Sequence, residues 1–168
     1  MLEVHPFGEF IPSNPKHFLL GSYTTKPTTG YEWFYANGRN YFWPMLEEVY
    51  GIPLDTKQRQ QQLFVDLKMA LADIIYSCRR AKGSNLDNNL VDITYNIEGV
   101  RKILQYPIEK VFFSSRFVES KFNALFKDEI LERPQTQLIY LPSPSPRYAV
   151  MSRNEKIARY KVCLPKLV

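Results

Sequence analysis

The sequence predicts an α/β protein, a three-layer sandwich around a central, mostly parallel sheet of about four strands. Three short apolar runs predict buried strands beginning near His17, Lys110 and Gln137. Segments with apolar residues at helical spacing separate these runs. Strands that alternate with helices favour a parallel sheet covered by helices on both faces. A length of 168 residues without a repeat or a long linker fits one domain, 1–168.

Helices and one weaker strand are expected between the three apolar runs. Residues 40–50 carry apolar side chains at helical spacing, and from about 60 to 79 an apolar stripe predicts a long amphipathic helix. The end of that stripe, 72–76, has an alternative interpretation as a short strand or turn. A weak strand at 91–95 and a short helix near 97–104 precede the second apolar run.

Polar residues mark where the last two helices begin. Ser114 or Ser115 can cap a helix after the second apolar run, because a serine oxygen accepts from the free backbone N–H groups of the first turn. Ser152 and Glu155 have the spacing of a capping box. They predict a C-terminal helix that ends near Cys163.

Composition argues against several classes of protein. No apolar run approaches the roughly 20 residues of a membrane span, and the N-terminus does not resemble a signal peptide, so we expect a cytoplasmic protein without a membrane partner. Cys78 and Cys163 are too few for an iron–sulfur cluster and are expected on the inner faces of helices. His5 and His17 fit neither a catalytic triad nor a metal-ligand pattern.

Two further absences bear on ligands and catalysis. The chain has no glycine-rich phosphate loop, so together with the histidine pattern we expect no metal and no cofactor. Asp73 and Asp87 could form a catalytic acid pair only through an accident of the fold.

Positive charge is concentrated at the C-terminal end. The net charge is +5, and the last 22 residues carry six of the 22 basic residues, among them Arg147 and Arg153, but one of the 17 acidic residues. The whole excess therefore lies after residue 146. A solvated terminal helix is one interpretation, but a basic segment beside a candidate pocket favours a phosphate-bearing partner.

An aromatic, amide-rich loop after the first strand predicts a binding pocket. Gly21 leads into a polar loop, an aromatic patch ending at Tyr35, and the amides Asn37 and Asn40. Loops at the carboxyl ends of parallel strands bind ligands, and rings beside amides suit a nucleobase. Tyr35 could stack on a base, an interaction worth about 1–3 kcal/mol. Each asparagine could read a base edge or hold a water, with a simple turn residue as the alternative.

A second loop follows the third apolar run. Its sequence, Leu-Pro-Ser-Pro-Ser-Pro at 141–146, is stiff because each proline fixes φ. The hydroxyls of Ser143 and Ser145 are thereby placed in advance, and Arg147 and Tyr148 at the tip could contact phosphate or enter a groove. A rigid turn that only ends the strand is the alternative.

Four segments together resemble the uracil-DNA glycosylase superfamily. Gly-Ser-Tyr-Thr-Thr at 21–25 falls where the family has its water-activating motif, and 35–43 resembles the aromatic-X-X-Pro-X-Asn-X-Phe-Trp segment of its mismatch-specific and hypoxanthine-acting branches. Residues 78–87 are similar to the Cys-Arg-Arg-X-Gly-Ser-X-Asp stretch of the hypoxanthine-acting branch, and 141–149 to its Leu-Pro-Ser-X-Ser-Pro loop. The four segments occur in the family's order and spacing, over most of the chain.

The resemblance implies a uracil-DNA glycosylase-like fold and a monofunctional DNA glycosylase, monomeric and acting on DNA in base-excision repair. It would flip a deaminated base, uracil or hypoxanthine, and hydrolyse its N-glycosidic bond. The implied catalytic residue is Asn40, with Asn37 as the second candidate. The residues that would bind the base are Gly21, Ser22, Tyr23 and Tyr35, and those that would bind DNA are Ser143, Ser145, Pro146, Arg147 and Arg153. Arg147 would fill the vacated stack.

Departures from the family pattern keep two alternatives open. Tyr23 and Thr24 stand where much of the superfamily has Asp or Asn, often followed by proline, and Gly38 replaces a proline of the second motif. The usual water-activating group is therefore missing, as it is in the hypoxanthine-acting branch. The alternatives are a weak or inactive member that binds nucleic acid, and an unrelated α/β nucleotide-binding protein.

Overall fold

The computed structural model describes residues 1–27, 30–81 and 89–168. The strands are β1 (Glu3–Val4), β2 (His17–Gly21), β3 (Met69–Asp73), β4 (Ile75–Arg80), β5 (Leu90–Tyr95), β6 (Lys110–Phe113) and β7 (Gln137–Tyr140). The helices are α1 (Phe42–Tyr50), α2 (Lys57–Asp66), α3 (Ile97–Leu104), α4 (Arg116–Leu125), α5 (Lys127–Leu131) and α6 (Arg153–Cys163). Across these described ranges, no helix has the length and apolar character to cross a membrane.

Four parallel strands form the central sheet in the order β3-β2-β6-β7. Leu20 of β2 pairs with Ala72 of β3 and with Phe113 of β6, which in turn pairs with Tyr140 of β7. All four strands therefore end at the same level and the same edge. The predicted parallel sheet of about four strands is confirmed.

Helices cover both faces of this sheet. Neighbouring side chains of a strand point to opposite faces, so Phe18 and Leu20 of β2 belong to one buried cluster and Leu19 to another. Helices α1, α2 and α6 pack on the Leu19 side, and α3 and α4 pack on the Phe18 side together with β4 and β5. The result is the predicted three-layer sandwich.

A second, antiparallel sheet in the order β1-β4-β5 was not predicted. It joins the N-terminal arm to the rest of the fold, because Glu3 pairs with Cys78 and the His5 N–H donates to the Tyr76 carbonyl at 2.8 Å. Cys78 is therefore buried on a strand, not on a helix as predicted, while Cys163 ends α6 and is half-buried.

The long helix predicted from about 60 to 79 is wrong beyond Asp66. Lys68 takes a left-handed φ of 53°, and the chain then forms β3 and β4. Every residue of β3 is buried, and a continuous apolar run fits a buried strand as well as a buried helix. The alternative of a strand near 72–76 was closer to the observed structure.

The remaining sequence expectations have mixed outcomes. Helix α3 and strand β5 lie where they were expected, Ser115 caps α4 by accepting from the Val118 N–H, and Ser152 forms the capping box of α6. The last six residues of the motif at 78–87, Asp87 among them, lie outside the described residues.

We predict that acid destabilises the fold partly through His17. Burial lowers the pKa of His17 below its usual 6.5, aided by Lys110 and Lys16 and opposed by Glu109. The unfolded chain therefore binds this proton at a higher pH than the folded chain, so stability should fall as pH drops below 6.5. Urea unfolding over a pH series should show wild type losing stability relative to His17→Gln in that window. Parallel pH curves for the two proteins would contradict the prediction.

Candidate active site

A cavity of about 690 Å³ lies at the carboxyl edge of the central sheet. Its walls come from the segments that leave β2, β6 and β7, from the last residue of β3, and from residues 35–40. Because parallel strands end at one edge, segments far apart in sequence converge there. The predicted site residues that line the cavity are Ser22, Tyr23, Tyr35, Asn37, Asn40, Ser143, Ser145, Pro146 and Arg147.

The other two predicted residues lie elsewhere. Gly21 ends β2 under the cavity, where a Cβ would collide with Asp73 Oδ1 and lie 2.9 Å from the Tyr35 hydroxyl. Glycine at this position therefore allows the side chains of Asp73 and Tyr35 to pack directly against β2. Arg153 does not line the cavity; its guanidinium lies 5.5 Å from the centre of the Tyr41 ring.

Tyr35 lines the cavity, and its ring stacks on Phe42 with ring centres 3.8 Å apart and planes 16° apart. The backbone has a φ of 58°, a left-handed conformation that is costly for a side chain of this size. The buried hydroxyl lies near Ser114 and Asp73 and makes no hydrogen bond of ordinary geometry to a described residue. Burial, and secondarily the Asp73 charge, raises the pKa of this hydroxyl far above its usual range.

Both candidate catalytic asparagines act as turn residues through their amide oxygens. Asn40 Oδ1 accepts from the Phe42 N–H at 2.8 Å, and Asn37 Oδ1 accepts from the Arg39 N–H at 2.9 Å. These backbone donors identify the oxygens, so the amide nitrogens are the groups left to face a ligand. A role for Asn40 or Asn37 in chemistry stays a prediction, and hydrogen-bond donation from the amide nitrogen is the role that these turns leave unobstructed.

The proline-rich loop is held through its backbone carbonyls. Pro142 O accepts from the Tyr160 hydroxyl at 2.7 Å, Pro144 O from the Tyr41 N–H at 3.1 Å, and Ser145 O from Lys156 Nζ at 3.0 Å. The serine oxygens accept only from N–H groups two residues ahead in the loop. Their hydroxyl hydrogens therefore remain able to donate to a ligand in the cavity.

Lys156 places a buried positive charge behind this loop. Lys156 is 1% exposed, and no described carboxylate forms a salt bridge with it. The ammonium group lies 5.8 Å from the Tyr41 ring centre and 5.3 Å from that of Tyr148, and burial lowers its pKa. Its field acts on the loop with little screening by water.

Sequence reasoning considered Asp73 only as half of an accidental acid pair with Asp87, but this residue lines the cavity and is 2% exposed. Its Oδ2 accepts two hydrogen bonds, from His5 Nε2 at 2.7 Å and from Thr24 Oγ1 at 2.7 Å. The available signal was a charged residue at the end of the apolar run Met-Ala-Leu-Ala-Asp. Because that run was assigned to a helix, the position of Asp73 at a strand end was not recognised.

The ring of His5 is locked in one tautomer. Its Nδ1 accepts from the backbone N–H groups of Phe7 at 3.1 Å and Gly8 at 3.2 Å, so Nε2 carries the proton and donates to Asp73. Both ring nitrogens of His5 are therefore engaged, Nε2 with Asp73 and Nδ1 with backbone N–H groups.

Tyr23 forms part of the cavity wall beside His5. The two rings meet edge to face with centres 5.7 Å apart. Burial raises the pKa of Tyr23 to about 12, so this residue enters the site as a neutral phenol. Within the described ranges, no group of three or more His, Cys, Asp or Glu side chains is arranged to hold a metal ion.

Comparisons with known proteins bear on the fold. No protein-family model matches this chain, and no curated protein matches it. Its structure matches the solution NMR structure of a candidate uracil DNA glycosylase from Methanosarcina acetivorans, with a TM-score of 0.65 and 19% sequence identity over 96% of this chain and 98% of that chain. The chain therefore has a uracil-DNA glycosylase-like fold, as the sequence motifs predicted.

We predict that Gly21→Ala destabilises the protein, whereas Gly38→Ala does not. A methyl group on Gly21 must displace the Asp73 carboxylate and the Tyr35 hydroxyl, and such overpacking costs about 1–3 kcal/mol. Gly38, in the loop 35–40 beside the cavity, is the matched control. The nearest atom to a Cβ added there is Gly30 Cα, at 3.7 Å. Thermal unfolding of the two variants is the measurement, and equal melting temperatures would contradict the assigned packing.

Proposed function

We propose that this protein is a DNA glycosylase that binds a deaminated base, uracil or hypoxanthine, flipped out of DNA and hydrolyses its N-glycosidic bond. The observation that carries the proposal is the cavity at the strand ends. It combines an aromatic ring, amide donors and serine hydroxyls in a fold like that of a candidate uracil DNA glycosylase. These are the groups that a planar base and its attached phosphates require.

Tyr35 supplies the surface on which the base would stack. Phe42 stacks on one face of the ring, so a base stacked on the other face would extend an existing stack. Such stacking is worth about 1–3 kcal/mol per base. It offsets part of the few kcal/mol that a base loses when it leaves the duplex.

Asn40 would donate from its amide nitrogen to the base. Its oxygen is already bound by the Phe42 N–H, which fixes the direction of the NH₂ group. A donor held in place stabilises the negative charge that develops on a departing base. Asn37 offers a second donor of the same kind on the same loop.

The proline-rich loop and nearby arginines would bind the DNA backbone. Ser143 and Ser145 retain their hydroxyl hydrogens, and Lys156 adds positive charge behind them. Arg39 and Arg147 line the cavity from two different loops and are exposed. Phosphate binding by such groups anchors DNA while the base is extruded.

A protein of this fold that binds nucleic acid without cutting it is the second candidate. The specific observation in its favour is Tyr23, a neutral phenol in the cavity wall where much of the superfamily carries Asp or Asn. The deciding assay uses duplexes with one uracil, hypoxanthine or xanthine, followed by alkali. A strand break at the lesion supports the glycosylase, and salt-sensitive binding without any break supports the second candidate.

We predict that Asn40→Ala lowers the single-turnover cleavage rate by about 100-fold or more with little change in DNA binding. Asn40→Asp is the matched variant, because its carboxylate can still accept from the Phe42 N–H while a charged oxygen replaces the amide donor. It should be as slow as Asn40→Ala. Wild-type cleavage by Asn40→Asp would reduce Asn40 to a turn residue.

We predict that duplex affinity falls steeply with salt and that Arg147→Ala makes the dependence shallower. Each phosphate contact adds about 0.9 to the slope of log affinity against log salt concentration. Arg59→Ala is the control, since Arg59 is exposed, pairs with Asp55 and does not line the cavity. Fluorescence anisotropy at several salt concentrations measures the slopes, and identical slopes for Arg147→Ala and Arg59→Ala would refute the contact.

A further inference from the structure

The cavity contains one carboxylate for which sequence reasoning had no role. Among the described residues that line the cavity, Asp73 is the only Asp or Glu. The position after β2 that carries Asp or Asn in much of the superfamily holds Tyr23, and the oxygens of Asn37 and Asn40 are engaged by backbone N–H groups. A group that can accept a proton from water must therefore come from another part of this wall.

We propose that Asp73 is the residue that activates water in this cavity and that His5, from the N-terminal arm, is its positioning residue. The proposal rests on the glycosylase function proposed above. It assigns the catalytic carboxylate to the end of β3 instead of the loop after β2.

The two oxygens of Asp73 have different surroundings. Oδ2 is fixed by the donors His5 Nε2 and Thr24 Oγ1, both at 2.7 Å. Oδ1 lies against Gly21, as does the Tyr35 hydroxyl, and the Asp73 residue lines the cavity. A water molecule between them would have an acceptor in Oδ1, which carries two lone pairs, and a donor in the Tyr35 hydroxyl. The carboxylate is thus oriented through Oδ2, and Oδ1 is the oxygen to which we assign the water.

His5 orients this carboxylate through one hydrogen bond. Two backbone N–H groups donate to Nδ1, so Nε2 carries the hydrogen that is donated to Asp73. The side chain is 3% exposed and is packed between Tyr23 and Phe34, with ring centres 5.7 Å and 5.2 Å away. Because this donor cannot rotate, it holds the Asp73 carboxylate in one rotamer. Misplacing a catalytic group by about 1 Å can lower the rate of the chemical step about 100-fold.

The His5 side chain is separable from the attachment of the arm. The arm is held independently by backbone hydrogen bonds, from His5 N–H to Tyr76 O and, in both directions, between Phe10 and Leu71. A purely structural role for the imidazole would thus predict little effect of its removal on the chemical step. A positioning role predicts an effect on that step alone.

The reaction balances with water as the only co-reactant. The water oxygen bonds to C1′ of the sugar while the C1′–N bond breaks, and the electron pair of that bond leaves with the base. One water proton passes to Asp73 Oδ1 and is then returned to the departed base, which restores the carboxylate. The positive charge that develops on the sugar is stabilised by the same nearby carboxylate.

The experiment measures single-turnover cleavage and affinity for an uncleavable duplex with the same lesion. Asp73→Asn should cleave about 100-fold more slowly or worse, with affinity within about twofold of wild type. His5→Phe should slow cleavage about tenfold, and His5→Gln, whose amide can replace the Nε2–H donor, should stay within about threefold. A wild-type rate for Asp73→Asn, or equal losses for His5→Phe and His5→Gln at equal melting temperature, would overturn the proposal.

A second measurement is independent of cleavage and of any variant at Asp73. Long-range ¹H–¹⁵N NMR of the wild-type protein reports the tautomer of each of its two histidines, and His17→Gln assigns them. The expected result is a hydrogen on Nε2 of His5 and none on Nδ1, and a hydrogen on Nδ1 would overturn the positioning role. If the wild-type protein cleaves no lesion base, the proposed function is contradicted. If Asp73→Asn cleaves at the wild-type rate, only the role assigned to Asp73 is contradicted.

Discussion

The candidate site depends on the parallel register of four strands. Because β2 pairs in register with β3 and β6, and β6 with β7, their last residues are level at one edge of the sheet. The register sets Gly21 beside Asp73, so the end of β3 lies against the loop that follows β2. Each strand then delivers its following segment to the same cavity. Any slip of register would separate these groups, since a shift of one residue sends each side chain to the opposite face.

The cavity wall is rigid because its loops are bound through backbone atoms. Carbonyls of the proline-rich loop accept hydrogen bonds from α6 and from the start of α1, and the asparagine oxygens close tight turns. The groups that line the cavity include serine hydroxyls, asparagine amides, the Tyr35 ring and the Asp73 carboxylate. Such groups are pre-oriented and need little rearrangement on binding. The left-handed backbone of Tyr35 fits this pattern, because strained conformations persist only where the surroundings enforce them.

Local patterns predicted much of the fold, and the failures concern the strands β1, β3 and β4. Strands β2, β6 and β7, the capping box at Ser152 and the two cavity loops are recognisable from neighbouring residues alone. The run from 69 to 80 was misread because its apolar residues satisfy a helical stripe as well as two buried strands. Strand β1 is two residues long and forms only by pairing with β4, more than 70 residues away. No local pattern contains that partner.

The sequence by itself determined the α/β class, the parallel sheet, the stiff serine–proline loop and the aromatic face of the pocket, because each follows from spacing or from proline chemistry. Only the tertiary structure decided how the polar groups are used. Asn40 and Asn37 were expected to offer both donor and acceptor, but nearby N–H groups occupy their oxygens. His5 and Asp73 are 68 residues apart, and their hydrogen bond exists only because the arm pairs with β4 beside the end of β3. Contacts made across such distances are set by packing, which no sequence window records.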